Sequence, residues 1–306
     1  FEIDAIVPDR PEFAFLNSCK NDPERLAQKL MEHNDTYVCK KDRRIRTIKL
    51  RGNLSQGLVM PLSILPSCVV EADLDVTELL GVEKYEPPMG TNPASRGQAK
   101  GNFPTYLIDK TDETRIQSSL KCLEELNGKP YYITVKCDGT SGTFLMVDGE
   151  FTACSRNLMV KEDDENMYWK VARKYNLPEL LTQHPELAIQ GEVCGPGIQG
   201  NKLGLSDYDL FVFNIWDTNA RKYVGYKEFM RLCDYMKLQT VPIDEVGDSF
   251  NYTLDELLEK ANGKYDSGRL REGIVIRPQE EMWSEKLNGR LSFKAISNEF
   301  LLDGGD

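Results

Sequence analysis

From residue 131 onward the chain reads as short apolar runs, each bounded by turn residues, interleaved with stretches of helical period. YYITVKCD, Tyr131 to Asp138, is rich in β-branched and aromatic residues and breaks at Asp138-Gly139, so it predicts a strand ending in a turn. Side chains alternate along a strand, which would put Lys136 and Asp138 on one wall and Val135 and Cys137 on the other. LAIQGEVC (187–194), FVFNIW (211–216), REGIVIR (271–277) and LSFKAIS (291–297) are further short apolar runs, each with a charged or aromatic residue set into it. Helical spacing marks Asp112 to Asn127, where Ile116, Leu120, Leu123 and Leu126 recur at three- and four-residue steps before Gly128. Helices are also predicted at Asn166 to Tyr175, at Tyr226 to Leu238, and at Leu254 to Asn262, the last capped by Thr253.

The first hundred residues have a different texture. Asp22-Pro23-Glu24 starts a helix through RLAQKLMEHN. RIRTIKLRG and SQGLVMPLS follow as two strands joined across Gly52-Asn53, and a short helix is expected near Thr77 to Leu80. Gly90 to Gly101 is polar and glycine-containing, with the composition of a linker, so a domain boundary is placed at about residue 100. Strand, helix, strand, strand with a basic edge suits the later half of a small OB-like barrel. The chain opens on FEIDAIVP, which reads as the last half of a strand, so earlier barrel strands are expected to be absent.

Composition narrows the chemistry. A chain of 306 residues, 40% hydrophobic and 28% charged, is long enough for about two globular domains. Its net charge of −11 excludes a protein that is basic all over, so any nucleic-acid contact must come from a local patch. KKDRRIRTIKLR, Lys40 to Arg51, is such a patch; it equally reads as a solvated strand or a localisation-type run. Eight cysteines show neither C-x-x-C nor zinc spacing, which points to reduced thiols in a reducing compartment, cytoplasm or nucleus. With only His33 and His184, a histidine triad or metal cage is not expected. No apolar run is long enough to span a membrane.

The order of the short motifs is the most informative feature. Lys136-x-Asp138-Gly139, Ser155-Arg156-Asn157, Gly191-Glu192, the FVFNIW aromatics, Glu272-Gly273 and Phe293-Lys294-Ala295 together resemble the covalent nucleotidyltransferase superfamily of ATP-dependent ligases and capping enzymes. GEVCGPGIQGN and FKAIS are most similar to its RNA ligases, in the branch where an OB domain precedes the adenylyltransferase domain. The resemblance implies an α+β fold, antiparallel sheets flanked by helices over residues 101–306, after an OB-like nucleic-acid-binding domain and linker over residues 1–100. It implies Lys136 as the nucleophile that takes AMP from ATP, with Lys294 gripping the α-phosphate. Asp138, Glu192 and Glu272 are implied around Mg²⁺ or Mn²⁺, with Glu192 also near the ribose. Phe213 and Val275 are implied on either side of the adenine, and Arg156 at the ribose and the nucleic acid. Arg43, Arg44, Arg46, Lys49 and Arg51 would grip the backbone of an RNA duplex carrying a 5′-phosphate and a 3′-hydroxyl at a nick, with the protein acting as a monomer.

Physical reasoning adds conditions to that reading. A lysine attacks phosphorus only as the neutral amine, so its pKa must fall from about 10.4. Asp138 alone would push it the wrong way, so nearby cations are required, with Lys294 and the metal as candidates. Glu192 lies in an apolar strand and must find a partner. Either glutamate could instead pair structurally with Arg271 or Arg156, and Phe213 could simply be core. Asn214 stands where the family often has aspartate, which puts a supporting hydrogen bond in doubt, and Ser292 stands where several branches have a second lysine. Gly195 to Gly200 matches G-x-G-x-x-G but opens no helix, so a dinucleotide site is not expected. A capping enzyme or DNA ligase would place its OB domain after the last motif, and the chain stops soon after Lys294, at Asp306. A nucleic-acid-binding protein with an inactive transferase domain is the remaining alternative.

Overall fold

The structure is a computed structural model that describes residues 5–16, 43–45, 47–50, 53–65, 74–84 and 98–303. By its contacts the chain divides into two units, 1–90 and 91–306. The helix expected from Asp22, together with Arg46, Arg51 and most of the expected linker, lies outside the described residues.

In the first unit, β1 (Ala5–Ile6) runs beside Arg43 to Ile45, with Ile45 N–H bonded to Ala5 O at 2.8 Å. A hairpin of β2 (Ile48–Leu50) and β3 (Asn53–Ser55) follows. Its register sets Leu50 opposite Asn53, so the strands meet one residue before the expected Gly52-Asn53 turn. SQGLVMPLS keeps only its first residue in a strand, because Pro61 leads into a single 3-10 turn over Leu62–Ile64. Helix α1 (Thr77–Leu80) and β4 (Glu83–Lys84) complete the unit, β4 pairing antiparallel with β1. Val7, Phe13 and Ile45 form its buried centre.

The second unit begins with β5 (Ala99–Asn102), β6 (Thr114–Arg115) and α2 (Lys121–Leu126). Next come β7 (Tyr131–Lys136), β8 (Thr140–Val147), β9 (Glu150–Cys154) and β10 (Leu158–Val160). Helices α3 (Met167–Lys174) and α4 (Leu177–Gln183) lead to β11 (Leu187–Cys194), β12 (Asp209–Asp217) and β13 (Lys222–Tyr223). After α5 (Tyr226–Tyr235), β14 (Ile243–Gly247) and α6 (Leu254–Ala261) come β15 (Gly273–Pro278) and a small hairpin, β16 (Trp283–Ser284) with β17 (Gly289–Arg290). β18 (Phe293–Ile296) and α7 (Asn298–Leu302) end it.

These strands make two main sheets. One has seven strands in the order β13-β12-β11-β8-β9-β10-β5, and the other has five in the order β14-β7-β15-β18-β6. Every pairing is antiparallel except β18 with β6. Each sheet has helices on one face. Ile189, Val193, Leu210 and Val212 of the larger sheet pack on Trp169, Val171, Leu181 and Phe229 from α3, α4 and α5. Ile133, Ile274, Ile276 and Phe293 of the smaller sheet pack on Cys122, Leu126, Leu257 and Ala261 from α2 and α6. Strand alternation then sends Glu192, Phe211 and Phe213 to the other face of the first sheet, and Lys136, Val275, Arg277 and Lys294 to the other face of the second.

The helix expected over 112–127 is a correction. Thr114–Arg115 is the edge strand β6, Ile116–Ser118 a 3-10 turn, and only Lys121–Leu126 is α-helical. The smaller sheet leaves β18 with an open edge, and its pairing with Thr114 and Arg115 outweighs a weak local helical preference. Leu120, counted in the apolar stripe, is 50% exposed. Helix α5 stops before Leu238 because Lys237 takes a left-handed conformation, φ 55°. Helices α4 and α7 have no counterpart in the sequence reading.

Candidate active site between two sheets

Lys136 is the last residue of β7, set opposite Gly273 in β15. That register brings the side chain of Glu272, just before β15, to Lys136, with Nζ 2.7 Å from Oε2. After Lys136 the chain leaves the strand. Cys137 turns into a buried cluster with Cys194, Phe211 and Val241, while Asp138 meets Lys202, Nζ 3.1 Å from Oδ2. Gly139 then passes beneath β11, where a Cβ would lie 2.6 Å from both Cys194 Sγ and Val193 O and 2.8 Å from Glu192 Cγ. Only glycine allows that approach, and it lets the Gly139 N–H donate to the Glu192 carboxylate. Gly273 has the same necessity, since a Cβ there would fall 2.2 Å from Ala295 O.

Lys136, Asp138, Glu192, Glu272 and Lys294 therefore form one electrostatic cluster. Burial alone would depress the Lys136 amine, but the charges of Glu272 and Glu192, the Glu272 hydrogen bond and Asp138 outweigh it and raise its pKa. Three carboxylates face this amine, so Lys294 by itself does not leave it unprotonated, and the metal is the other cation the expectation named. Burial pushes Glu192 up to about 7 against the pull of Lys136, and Glu272 and Asp138 add to the rise. Asp138 is raised too, by burial and then by Glu272, although Lys202 opposes the shift. Lys294, on β18 opposite Val275, is lowered to about 8 by burial and then by repulsion from Lys136.

The donor set suits a small hard cation. Three carboxylates offer oxygen ligands, and Glu192 is a buried acid that an added positive charge would relieve. No group of three His, Cys, Asp or Glu among the described residues stands close enough to hold a metal by itself. The arrangement fits Mg²⁺ or Mn²⁺ that keeps much of its water shell, and does not fit a closed cage.

The two residues expected at the adenine come from different sheets. Phe213 approaches from β12 and Val275, 7% exposed, from β15. Arg277, two residues beyond Val275, donates to Phe213 O at 3.3 Å, to Ser292 Oγ at 2.9 Å and to Glu113 Oε1 at 2.7 Å, and so ties the two sheets. Ser292 thus holds an arginine in place of adding a charge. Asn214, which stands where the family often has aspartate, donates to Gln190 Oε1 at 3.2 Å and accepts from Arg290 at 2.7 Å.

Neither glutamate pairs with Arg271 or Arg156. Arg271 meets Asp244 at 3.0 Å, and Arg156, in the turn after β9, meets Asp112 at 2.7 Å, outside the central cluster. In the first unit Arg43 pairs with Asp9 at 2.7 Å, Arg44 bridges Ile6, and Lys49 is exposed on β2. The sequence reading missed Lys202, Tyr265 and the Arg277–Glu113 pair. Lys202 sits two residues beyond the segment set aside as a false dinucleotide motif, and its Nζ also lies 3.8 Å from the centre of the Phe300 ring. Arg277 was recoverable, since period two places it on the same face as Val275. Tyr265 carried no local signal.

Two helix-backed sheets, with a strand-end lysine set among carboxylates, define a nucleotidyltransferase fold. An RNA ligase family model matches residues 129–296, and an OB-fold domain model matches residues 1–62. The chain belongs to the RNA ligase family. It is similar to Naegleria gruberi RNA ligase solved with pyrophosphate, at 33% identity over 98% of this chain and 84% of that one, TM-score 0.79. A variant of that ligase with ATP and manganese matches at 33% identity over 100% and 86%, TM-score 0.81. Another, with AMP and manganese, matches at 32% over 98% and 84%, TM-score 0.80. No curated protein sequence matches.

Proposed function

We propose that the chain is an ATP-dependent RNA ligase working through a lysyl-adenylate at Lys136. The observation that carries this reading is the Lys136 amine held 2.7 Å from Glu272, with Asp138, Glu192 and Lys294 around it. Lys136 Nζ gives up its proton, for which Glu272 Oε2 is the acceptor in place, and attacks the α-phosphorus of ATP. The N–P bond forms as the bond to pyrophosphate breaks. Lys294 supplies positive charge to the α-phosphate, and Phe213 and Val275 stack on the adenine. A divalent cation held through water by Asp138, Glu192 and Glu272 would neutralise the phosphate charge that builds up at attack.

An RNA 5′-phosphate oxygen then takes AMP from Lys136, and a 3′-hydroxyl displaces AMP to join the strand. The substrate is a nick in a duplex. Arg43, Arg44, Arg46, Lys49, Arg51 and Arg156 contact its backbone, and the 2′-hydroxyl beside the break favours RNA. In this reading the OB-like domain with its linker occupies residues 1–100, the adenylyltransferase domain occupies 101–306, and the protein acts as a monomer. The five cysteines among the described residues are all free and buried, in keeping with a reducing compartment. Among the described residues no helix is long and apolar enough to cross a membrane.

The test is transfer of label from α-labelled ATP with Mg²⁺. The chain acquires an acid-labile adenylate and the Lys136→Ala variant does not; equal labelling of the two, or none in either, overturns the reading. Sealing of nicked duplexes ending in ribose or deoxyribose tests the RNA part, which equal rates would remove.

A further inference from the structure

The ladder between β7 and β15 ends at the pair Lys136–Gly273, since beyond it β7 turns away. The Lys136 carbonyl and the Glu272 N–H, which border the next rung, both bond to one side chain. The Tyr265 hydroxyl donates to Lys136 O at 2.7 Å and accepts from Glu272 N–H at 3.1 Å. On its other side the Glu272 carbonyl accepts from Ser297 N–H at 2.9 Å.

We infer that Tyr265 is a positioning residue for the nucleophile: its hydroxyl clips the backbone of Lys136 to that of Glu272 and so sets the side-chain pair from which the attack starts. The inference rests on the proposed lysyl-adenylate chemistry and names a residue that touches neither ATP nor RNA.

Three features give the clip its effect. Tyr265 is itself held, in a tight turn closed by Tyr265 N–H to Arg269 O at 2.9 Å and Gly268 N–H to Tyr265 O at 2.8 Å. One oxygen makes both bonds at once, donating the first and accepting the second, so a single atom fixes the spacing of the two backbones. The two backbones it joins belong to the residues whose side chains stand 2.7 Å apart. A small displacement at a reacting atom costs far more in rate than one lost hydrogen bond costs in stability.

Tyr265→Phe removes only the hydroxyl. In single-turnover labelling the variant should form adenylate about 10- to 100-fold more slowly, with the ATP concentration for half-maximal rate within about twofold of the parent. Joining of a strand supplied already adenylylated at its 5′ end bypasses attack by Lys136, so it should fall much less. Adenylylation at the parent's rate, a changed ATP requirement at unchanged maximal rate, or equal loss of both activities would each overturn the inference. A parent protein that takes no label at all instead defeats the functional reading. Should the variant melt below the assay temperature, amide exchange in the parent decides: slow exchange at Glu272 N–H supports the clip, and exchange as fast as in exposed loops removes it.

Discussion

At Lys136 the reaction asks for a neutral amine, and the cleft alone holds an ammonium against Glu272. Burial first, and then the charges of Glu272 and Asp138, raise the Glu192 pKa from an ordinary 4.5 to about 7 against the pull of Lys136. A raised carboxylate favours folding in its protonated form; that contribution is whole below about pH 4.5 and is lost as pH rises through about 7. Metal-free Glu192→Gln should therefore melt higher than the parent at pH 8, by about 1–2 kcal/mol after discounting partial exposure. Near pH 4.5 the two should melt together, and melting curves at both pH values check this. Gly139→Ala is a second test at this scale. Its methyl would meet Val193 O as well as Cys194 Sγ, so the variant should lose about 1–3 kcal/mol, and Cys194→Ala in the same chain should not restore it. Urea denaturation of the single and double variants measures both effects.

Among the elements, helix α6 shows how local signals can be enough. Thr253 Oγ1 accepts from Glu256 N–H at 3.3 Å, and the Glu256 carboxylate accepts from Thr253 N–H at 2.8 Å, so the cap expected at Thr253 is one half of a capping box. This helix backs the smaller sheet on the side away from Lys136. Thr253→Ala should cost about 1 kcal/mol by urea denaturation and leave the rate of adenylate formation unchanged. Residues 112–127 show the reverse case. Ile116 and Leu126 are buried as their spacing requires, but the free edge of β18 draws Thr114 and Arg115 into the sheet and breaks the helix. Strands 131–136, 187–194 and 273–278 were legible because they are buried on both faces over most of their length and so read as short, nearly continuous apolar runs. Helix α4 was not, since Asn176 in a left-handed conformation divides it from α3 in a way that spacing does not show.

At the scale of the whole nucleotidyltransferase unit, the proposed function sets a base between Phe213 and Val275, so the separation of the two sheets would decide whether it fits. Arg277 spans that separation, bonded to Phe213 O on one sheet and paired with Glu113 beside the other. Burial alone would raise Glu113, but the charges of Arg277 and Arg290 and a hydrogen bond from Ser292 hold it down at about 2. Arg277→Met leaves Glu113 buried without its main partner and should cost about 3–5 kcal/mol. Adding Glu113→Gln should recover part of that loss. Weaker ATP binding by the double variant, measured by calorimetry, would report a loosened slot even where stability returns.

The line between sequence and structure follows the range of the interactions. Strand alternation and helix caps depend on neighbours a few residues apart, and motif order is written along the chain, so the sequence alone singled out Lys136, Asp138, Glu192, Glu272 and Lys294 as candidates and set Lys136 and Asp138 on one wall. Which ammonium meets which carboxylate, the protonation of Lys136, and the places of Lys202, Tyr265 and Arg277 depend on groups brought together from distant parts of the chain. Electrostatic energies in a cleft turn on separations of a few ångströms between such groups, and only tertiary packing sets those separations.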